Sequence, residues 1–468
     1  MMQKSKIYIF LSLFYIVGIF LWFNKGFKVA SLFLLAPILA YVILNYTCSV
    51  TILLPIIVYL PEYKFLAGFS YKVLLITFMA FILLIRKLSA REPVFPPKFL
   101  YLISPYILFL AWIFIASLRH YNGFNPVFFR HNYLNLFPQA MMLYMLSVCI
   151  DSWRKLEILS LMILIVGIWM SLLGFGEIGG IGNLIHYFNP KLQFLRVNSK
   201  LIRASSRFNI PVTYSYTIMM IALFAFVLFL KYKEATFKLF RFIAFLSAVI
   251  AFAGLSTAIT RSSNLGAVIG IIVPFFFAKL GKHKIIFSVK MLLLFLIIFP
   301  VLSIVANYFY VYLKEPNAIG RYTLFISGLK IAAKHPFWGI GPINYPSEAF
   351  QFALEAEGLP YLSTAVRTTS HNQFVLIFSF YGLPGLCFLL WFCHRLFNLI
   401  TKALISSDNR ARSWGLSILS VFSAFVFTSG YHNSGFFITH DRLVWIFVAM
   451  PLIVLNIMTQ KTDDLSEL

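Results

Sequence analysis

Long runs of apolar residues alternate with short polar links along the whole chain. The runs lie at 7–22, 28–46, 48–61, 70–85, 100–117, 137–150, 156–176, 213–230, 239–259, 263–278, 290–309, 373–394, 414–430 and 443–459. Most of them approach the ~17–25 residues that a helix needs to cross the ~30 Å hydrocarbon core of a bilayer. The pattern therefore predicts an all-α, polytopic integral membrane protein with about 12–14 transmembrane helices.

Two polar segments are much longer than the other links and divide the chain into three parts. Residues 1–309 are predicted to be N-terminal transmembrane helices with short loops, apart from an arginine-bearing loop near 177–212. Residues 310–372 are predicted to form one large loop outside the membrane, and residues 373–468 the C-terminal transmembrane helices. The first apolar run has no small-residue cleavage site after it, so we expect a transmembrane helix there rather than a removed signal peptide.

The composition is typical of a membrane protein and argues against nucleic acid as a partner. Hydrophobic residues make up 60% of the chain and charged residues 12%, whereas soluble domains carry about 25% charged residues. The net charge of +24 is spread over many short links rather than gathered in one patch. Because Lys and Arg collect in cytoplasmic loops, this distribution predicts cytoplasmic termini, with both long polar segments outside.

Several arginines remain on the outside, where this charge bias does not require them. They lie in three segments beside small polar residues: Arg203-Ala-Ser-Ser-Arg207, Thr260-Arg261-Ser262-Ser263 and Gly320-Arg321-Tyr322. Snorkelling of the side chain to lipid headgroups is one explanation for each of them. Phosphate binding is the other, because a guanidinium group makes two parallel hydrogen bonds to a phosphate. Several arginines that converge on one pocket would hold a pyrophosphate.

The outside segments contain few carboxylates and no Asp-x-Asp pair. Transferases that use Mg²⁺ or Mn²⁺ need oxygen ligands of that kind. If the protein is a transferase, we therefore expect arginines rather than a metal to neutralise the leaving group, and we expect no cofactor.

A polar stretch meets an apolar run at Thr368 to Gly385, which reads TTSHNQFVLIFSFYGLPG. One interpretation is simply a polar start of a helix, with Ser370 or Asn372 as its N-cap. The other is catalytic: the positive end of a helix dipole disfavours imidazolium, and a neutral His371 near the membrane surface would be a general base. The Gly-Leu-Pro-Gly sequence that follows is predicted to bend the helix about three turns after its start.

The segment from Arg321 to Gly385 resembles the bacterial O-antigen ligase and O-antigen polymerase superfamily. An arginine is followed by a short helix and then by His335-Pro336-Phe-Trp-Gly339-Ile-Gly341-Pro342, Tyr345 and, at the end of the large loop, His371-Asn372. Nine residues, Gln373 to Tyr381, separate His371-Asn372 from Gly382-Leu-Pro-Gly385, which is the spacing of the ligase signature. Two weaker similarities lie upstream, at Arg203–Pro211 and at Thr260–Ser262; Ser206 stands where the family usually has glycine, and Arg261 is shifted relative to the family's arginine.

The resemblance implies a GT-C-like helical fold and a metal-independent, inverting glycosyltransferase of the bacterial inner membrane. It implies an undecaprenyl-pyrophosphate-linked glycan as the donor and a lipid A-core sugar or a growing glycan as the acceptor, with membrane lipids around the chain and the active site on the periplasmic face. Together with the arguments above, it gives these site residues: His371 as the general base; Arg203, Arg207, Arg261 and Arg321 on the donor pyrophosphate; and Asn372, His335 and Tyr345 in support.

Four functions stay open on the sequence alone. The ligase and the polymerase share their chemistry and differ in the acceptor, and a protein O-oligosaccharyltransferase of the same superfamily differs in the same way. A flippase or transporter is a different class. Transporters often carry internal repeats and charges inside the membrane, whereas the ionisable residues here lie at the ends of the apolar runs and in the outer loops. The pattern therefore favours an enzyme.

Overall fold

The computed structural model describes residues 45–59, 71–121, 123–179, 196–198, 201–202, 204, 211–311, 316–354, 370, 372–431, 436–437 and 442–466. The helices in chain order are α1 (Tyr46–Tyr59), α2 (Tyr71–Ser89), α3 (Pro97–His120), α4 (Pro126–Cys149), α5 (Trp153–Ile178), α6 (Pro211–Lys231), α7 (Lys238–Thr257), α8 (Arg261–Ala278), α9 (Lys282–Val311), α10 (Pro316–Lys334), α11 (Gly341–Leu354), α12 (Gln373–Leu404), α13 (Asn409–Ser429) and α14 (Leu443–Ser466). Two short strands, β1 (Arg196–Asn198) and β2 (Leu201–Ile202), pair antiparallel between α5 and α6.

The predicted all-α membrane architecture is confirmed. Every predicted apolar run from 48–61 onward coincides with a helix, while the run at 7–22 and all but the last two residues of the run at 28–46 lie outside the described residues. Within the described part of the chain, 8 helices are long and apolar enough to cross a membrane. The run at 137–150 is only the second half of α4, which begins at Pro126. Its first half, with Arg130, His131 and Asn132, is too polar for an apolar window to detect.

Helices α6, α8 and α13 are held together by small residues. Gly266 and Gly270 lie one turn apart on α8, the spacing that allows close approach of membrane helices. A Cβ atom on Gly270 would lie 2.4 Å from Leu223 of α6, and one on Gly266 would lie 2.5 Å from the Thr428 hydroxyl of α13. The Ser420 hydroxyl of α13 also donates to the Gly270 carbonyl at 2.5 Å. This packing places the start of α8 and the end of α13 at the same end of the bundle.

Helix α12 is broken at Gly382, where the backbone has φ 69° and ψ −170°. The bend predicted from Gly-Leu-Pro-Gly is thus confirmed. The longer part, Leu383–Leu404, is about 33 Å long at the rise of an α-helix, which is enough to span a bilayer by itself. We call the shorter part, Gln373–Tyr381, the α12 arm.

The α12 arm runs over one end of the bundle. Helix α13 has 21 residues and ends beside Gly430, so it is about as long as the unbroken part of α12. The Gly430 carbonyl accepts a hydrogen bond from the side chain of Asn372. Because the arm therefore starts at the level where α13 ends, it lies across this end rather than extending the axis of α12. We call this the site end; α3, α7 and α13 end there, and α6, α8 and α12 begin there.

Candidate functional site

Asn372 caps the α12 arm and ties it to α13. Its Oδ1 accepts hydrogen bonds from the backbone N–H groups of Phe374 and Val375 at 2.9 and 3.0 Å, and its Nδ2 donates to the Gly430 carbonyl at 2.8 Å. The side chain is fully buried. The Asn372 amide thus forms hydrogen bonds with backbone groups at the start of the arm and at the end of α13, which have no partner inside their own helices. The N-cap predicted from the sequence is present, and it fixes the backbone immediately after His371.

His371 itself lies outside the described residues, but both of its neighbours are buried. The Ser370 hydroxyl donates to the Asn372 carbonyl at 3.0 Å, bridging the position of the histidine. Ser370 also packs against α10, because a Cβ atom on Gly328 would lie 3.0 Å from its Cβ and 2.7 Å from Val375. The chain on either side of His371 is therefore held by contacts with α10 and α13.

Helix α10 carries Arg321 about two turns before Gly328. The backbone of Arg321 is described as helical, whereas its side chain lies outside the described part of the structure. The Ser379 hydroxyl of the arm donates to the Gly328 carbonyl at 2.9 Å, so the two helices are in direct contact. The structure thus brings the helix of Arg321 against the arm that begins after His371.

Tyr345 supports the arm from α11. Its side chain is buried, its ring lies 5.2 Å from that of Phe380 with an interplanar angle of 70°, and its hydroxyl lies near Ser370 and Gly328. Burial raises the pKa of Tyr345 above its usual value, so the hydroxyl stays protonated. The contacts of Tyr345 are with the arm and its flank.

His335 lies in a turn, which suits a residue that precedes proline. It follows α10, and its carbonyl accepts a hydrogen bond from Gly339 at 3.0 Å. Its Nε2 lies 3.5 Å from the Glu348 carboxylate of α11. These contacts favour a structural role for His335 over the role of a general base.

The turn at Pro336–Ile340 fills the break in α12. The Leu383 N–H donates to the Pro336 carbonyl at 2.7 Å, and the Ile340 N–H donates to the Ser379 carbonyl at 2.9 Å. From α3, the Trp112 indole donates to the Tyr381 carbonyl at 2.7 Å. Pro384, in the first turn of the restarted helix, has no N–H to satisfy. The Leu383 N–H and the carbonyls of Ser379 and Tyr381, three backbone groups at the break, are thereby paired.

Two glycines make this contact possible. A Cβ atom on Gly382 would lie 2.0 Å from the Phe337 carbonyl oxygen, and one on Gly339 would lie 2.4 Å from the Phe380 carbonyl. Both glycines have positive φ angles, 69° and 66°. The His-Pro-x-x-Gly and Gly-Leu-Pro-Gly stretches, far apart in the chain, are therefore the two halves of one backbone-to-backbone joint. We call it the glycine joint (Pro336–Ile340 with Ser379–Leu383).

Ala204, the one described residue between Arg203 and Arg207, contacts the end of α7 at the site end. The Ala204 N–H donates to the Thr257 carbonyl at 3.1 Å, and Ala204 is buried. This bond places Ala204 beside the link between α7 and α8, whereas Arg203 and Arg207 lie outside the described residues. Arg261 is exposed at the first position of α8. Ser215 and Ser263, 2.8 Å apart, join the starts of α6 and α8.

Two polar residues at the site end were not singled out from the sequence. Arg442 directly precedes α14 and is only 4% exposed. It could have been found in the sequence by the criterion used for the four arginines above, because it also lies on the predicted outer side. Gln373 is fully buried, and among the described residues neither of its amide atoms has a hydrogen-bond partner. Its burial depends on packing and has no sequence signal.

The described residues contain no group of three or more His, Cys, Asp or Glu side chains arranged to hold a metal ion. They do bring together the capped α12 arm and the starts of α6, α8 and α12, which carry partial positive charge. Backbone positions next to the predicted arginines lie there as well. This combination suits an anionic group at the site end.

A family model described as O-antigen ligase matches residues 246–390. The match starts in α7 and ends beyond the glycine joint, so it contains Arg261, Arg321, His335, Tyr345, His371 and Asn372; Arg203 and Arg207 precede it. No curated protein matches the chain. The region that builds the site end is thus similar to the O-antigen ligase family, and the resemblance predicted from the motifs is confirmed.

Proposed function

We propose that the protein is an O-antigen ligase that transfers a glycan from undecaprenyl pyrophosphate to a sugar hydroxyl of lipid A-core. The observation that carries the proposal is the match of residues 246–390 to the O-antigen ligase family. Support comes from the site end, where the parts of the ligase signature, Asn372 and the glycine joint, belong to one assembly around the α12 arm. The reaction is an inverting, metal-independent displacement.

His371 is the proposed general base. It removes the proton of the acceptor hydroxyl while the hydroxyl oxygen attacks the anomeric carbon of the donor, from the face opposite the pyrophosphate. The bond from that carbon to the pyrophosphate oxygen breaks, and its electron pair leaves with the pyrophosphate. The start of the α12 arm favours a neutral imidazole, because the positive end of the helix dipole opposes protonation. Asn372 orients the base through the cap and its bond to Gly430.

The proposed pyrophosphate site consists of Arg203, Arg207, Arg261 and Arg321. The bond between Ala204 and Thr257 supports the grouping of the first three, and the packing of α10 on the arm supports the fourth. The starts of α6 and α8 add partial positive charge. These groups stabilise the negative charge that develops on the leaving pyrophosphate. The arginines and helix starts thereby replace the metal ion that other transferases use.

Replacing Arg261 or Arg321 by lysine is expected to lower the transfer rate by about 10²–10³-fold, the typical effect of losing one donor to a developing negative charge. Lysine keeps the charge but cannot make two parallel hydrogen bonds to a phosphate. The measurement is glycan transfer by the purified protein from lipid-linked donor. Arg154→Lys is the matched control, since Arg154 is exposed at the opposite end of the bundle. Normal rates in both site variants would remove these arginines from the proposal.

The site end is proposed to face the periplasm, with both termini in the cytoplasm and the chain in the inner membrane. The distribution of basic residues along the links supports this orientation. The membrane then supplies the donor lipid at the side of the bundle, and the acceptor approaches from the aqueous side. No cofactor takes part.

The phenotype of a deletion strain distinguishes the ligase reaction from the three alternative functions. For a ligase, we expect loss of all capped lipopolysaccharide and accumulation of long lipid-linked glycan. Lipid A-core that carries a single repeat unit would show a polymerase instead. Loss of glycan from proteins would show a protein O-oligosaccharyltransferase. Unchanged surface glycans together with altered uptake of small molecules would show a transporter. Restoring the wild-type gene on a plasmid is the control.

A further inference from the structure

A separate cavity of about 640 Å³ opens at the site end. Its volume lies in the ~300–1,000 Å³ range of small-molecule sites. The end of α3, the turn of the glycine joint and the first turns of α11 form its walls. We call it the α3–α11 cleft, lined among others by Arg119, His120, Lys334, Phe337, Asn344 and Glu348.

The cleft lies on a different side of α10 and α11 from the α12 arm. On α11, Tyr345 contacts the arm, whereas Asn344 and Glu348 lie about 60–100° away around the helix axis. On α10, Gly328 contacts the arm, while Lys334 at the end of the helix lines the cleft. Ligands in the cleft would therefore be separated from the start of the arm by the α10–α11 pair.

The polar groups of the cleft include both donors and acceptors. Lys334 Nζ and His335 Nε2 lie 3.4 and 3.5 Å from the same Glu348 oxygen. The Lys334 contact is a long, weak hydrogen bond and the His335 contact is not a hydrogen bond, so the carboxylate keeps most of its capacity to accept. The Asn344 amide both donates and accepts. Sugar hydroxyls also do both, and a wall with groups of both kinds matches them.

Aromatic residues complete the cleft. Trp338 is held between the Trp112 ring, stacked at 4.8 Å, and the Arg119 guanidinium, 4.5 Å from its centre. It therefore forms a fixed wall. Phe337 is 53% exposed although it belongs to the turn of the glycine joint. An exposed aromatic ring beside hydrogen-bonding groups offers an apolar surface to the C–H face of a sugar ring.

The cleft is preformed because its turn is bound to α12 through the glycine joint. A rigid site loses little entropy when a ligand binds. The wall contains two basic side chains, Arg119 and Lys334, and one carboxylate, Glu348. This balance favours saccharides that carry an acidic substituent.

We propose that the α3–α11 cleft is a saccharide subsite that binds sugar units of the glycan away from the reacting bond. The proposal deepens the ligase function and rests on it for the identity of the glycan. The cleft's own chemistry does not involve the transfer step, so binding and transfer are separately measurable.

The test is direct binding to the purified full-length protein, followed by tryptophan fluorescence, since Trp112 and Trp338 adjoin the cleft. Two probes are used: core oligosaccharide and O-polysaccharide, each freed of lipid by mild acid. Phe337→Ala and Glu348→Gln are expected to weaken binding at least tenfold. Ile343→Ala is the matched control, because Ile343 is 50% exposed on α11 and does not line the cleft. Asn344→Ala replaces Phe337→Ala if that variant does not fold.

The outcomes distinguish this proposal from the ligase function. Binding of core oligosaccharide assigns the cleft to the acceptor, and binding of O-polysaccharide assigns it to the donor. His371→Ala protein is expected to bind as wild type does, so a failed transfer reaction with intact binding overturns the ligase function only. If wild-type protein binds neither probe, or if the cleft variants bind as tightly as Ile343→Ala, the subsite does not exist, whatever the transfer activity.

Discussion

Replacing His371 by alanine is expected to lower the rate of glycan transfer by about 10²–10⁴-fold, the usual contribution of a general base. The acceptor hydroxyl is a poor nucleophile as long as it keeps its proton, and alanine cannot accept that proton. Binding of the donor is expected to stay unchanged, because the arginines hold the pyrophosphate. The measurement is single-turnover transfer from lipid-linked glycan by purified protein, with donor binding determined separately.

Two other histidines provide matched controls for this substitution. His335 is another histidine of the ligase-like segment; its place in the turn beside Glu348 predicts that His335→Ala keeps its turnover within a few-fold of wild type. His283 is exposed at the start of α9, at the opposite end of the bundle, and His283→Ala is expected to have no effect. Turnover by His371→Ala within a few-fold of wild type would rule out the base assignment.

The pH dependence supplies a second readout of the same residue. A base must be unprotonated, so the wild-type rate is expected to fall about tenfold per pH unit once the pH is low enough to protonate the His371 imidazole. The residual rate of His371→Ala is expected to lack this acid limb. A variant that lost activity only through misfolding would have no reason to change the shape of the profile.

Replacing Gly382 by alanine is expected to destabilise the protein by more than about 4 kcal/mol, the range of the most damaging single substitutions. The new Cβ would lie 2.0 Å from the Phe337 carbonyl oxygen, and backbone rather than a flexible side chain would have to move. The conformation at φ 69° and ψ −170° is also one that almost only glycine adopts. We expect little folded protein after extraction and a strongly lowered melting temperature in what remains.

Gly281→Ala is the control for the glycine joint, because a Cβ atom at that glycine would have no neighbour within 4 Å. Gly339→Ala examines the other half of the joint and is expected to resemble Gly382→Ala, since its Cβ would lie 2.4 Å from Phe380. A melting temperature of Gly382→Ala equal to that of wild type would show that α12 and the turn are not in contact.

The properties that the sequence alone predicts are local ones. A membrane helix must be apolar over a length set by the bilayer, so apolar runs locate α5 to α8 closely, as well as the starts of α12 and α14 and the end of α13. The cap at Asn372 and the bend at Gly382 also follow from neighbouring residues, because capping and the missing N–H of proline act within one turn. The start of α4 was missed, since its residues are polar although helical.

Contacts between distant segments were decided by the tertiary structure. The contacts of Gly339 with Phe380 and of Gly382 with Phe337, the burial of Arg442 and Gln373, and the α3–α11 cleft have no counterpart in hydropathy. Each depends on which helices pack together, and a glycine that permits a bend looks the same in sequence as one that admits another backbone. The sequence by itself determined where the helices run, which residues cap or break them, and the similarity of one region to the O-antigen ligase family. Only the packed chain decided that the break in α12 is filled by the turn after α10, because close packing joins surfaces that no local pattern relates.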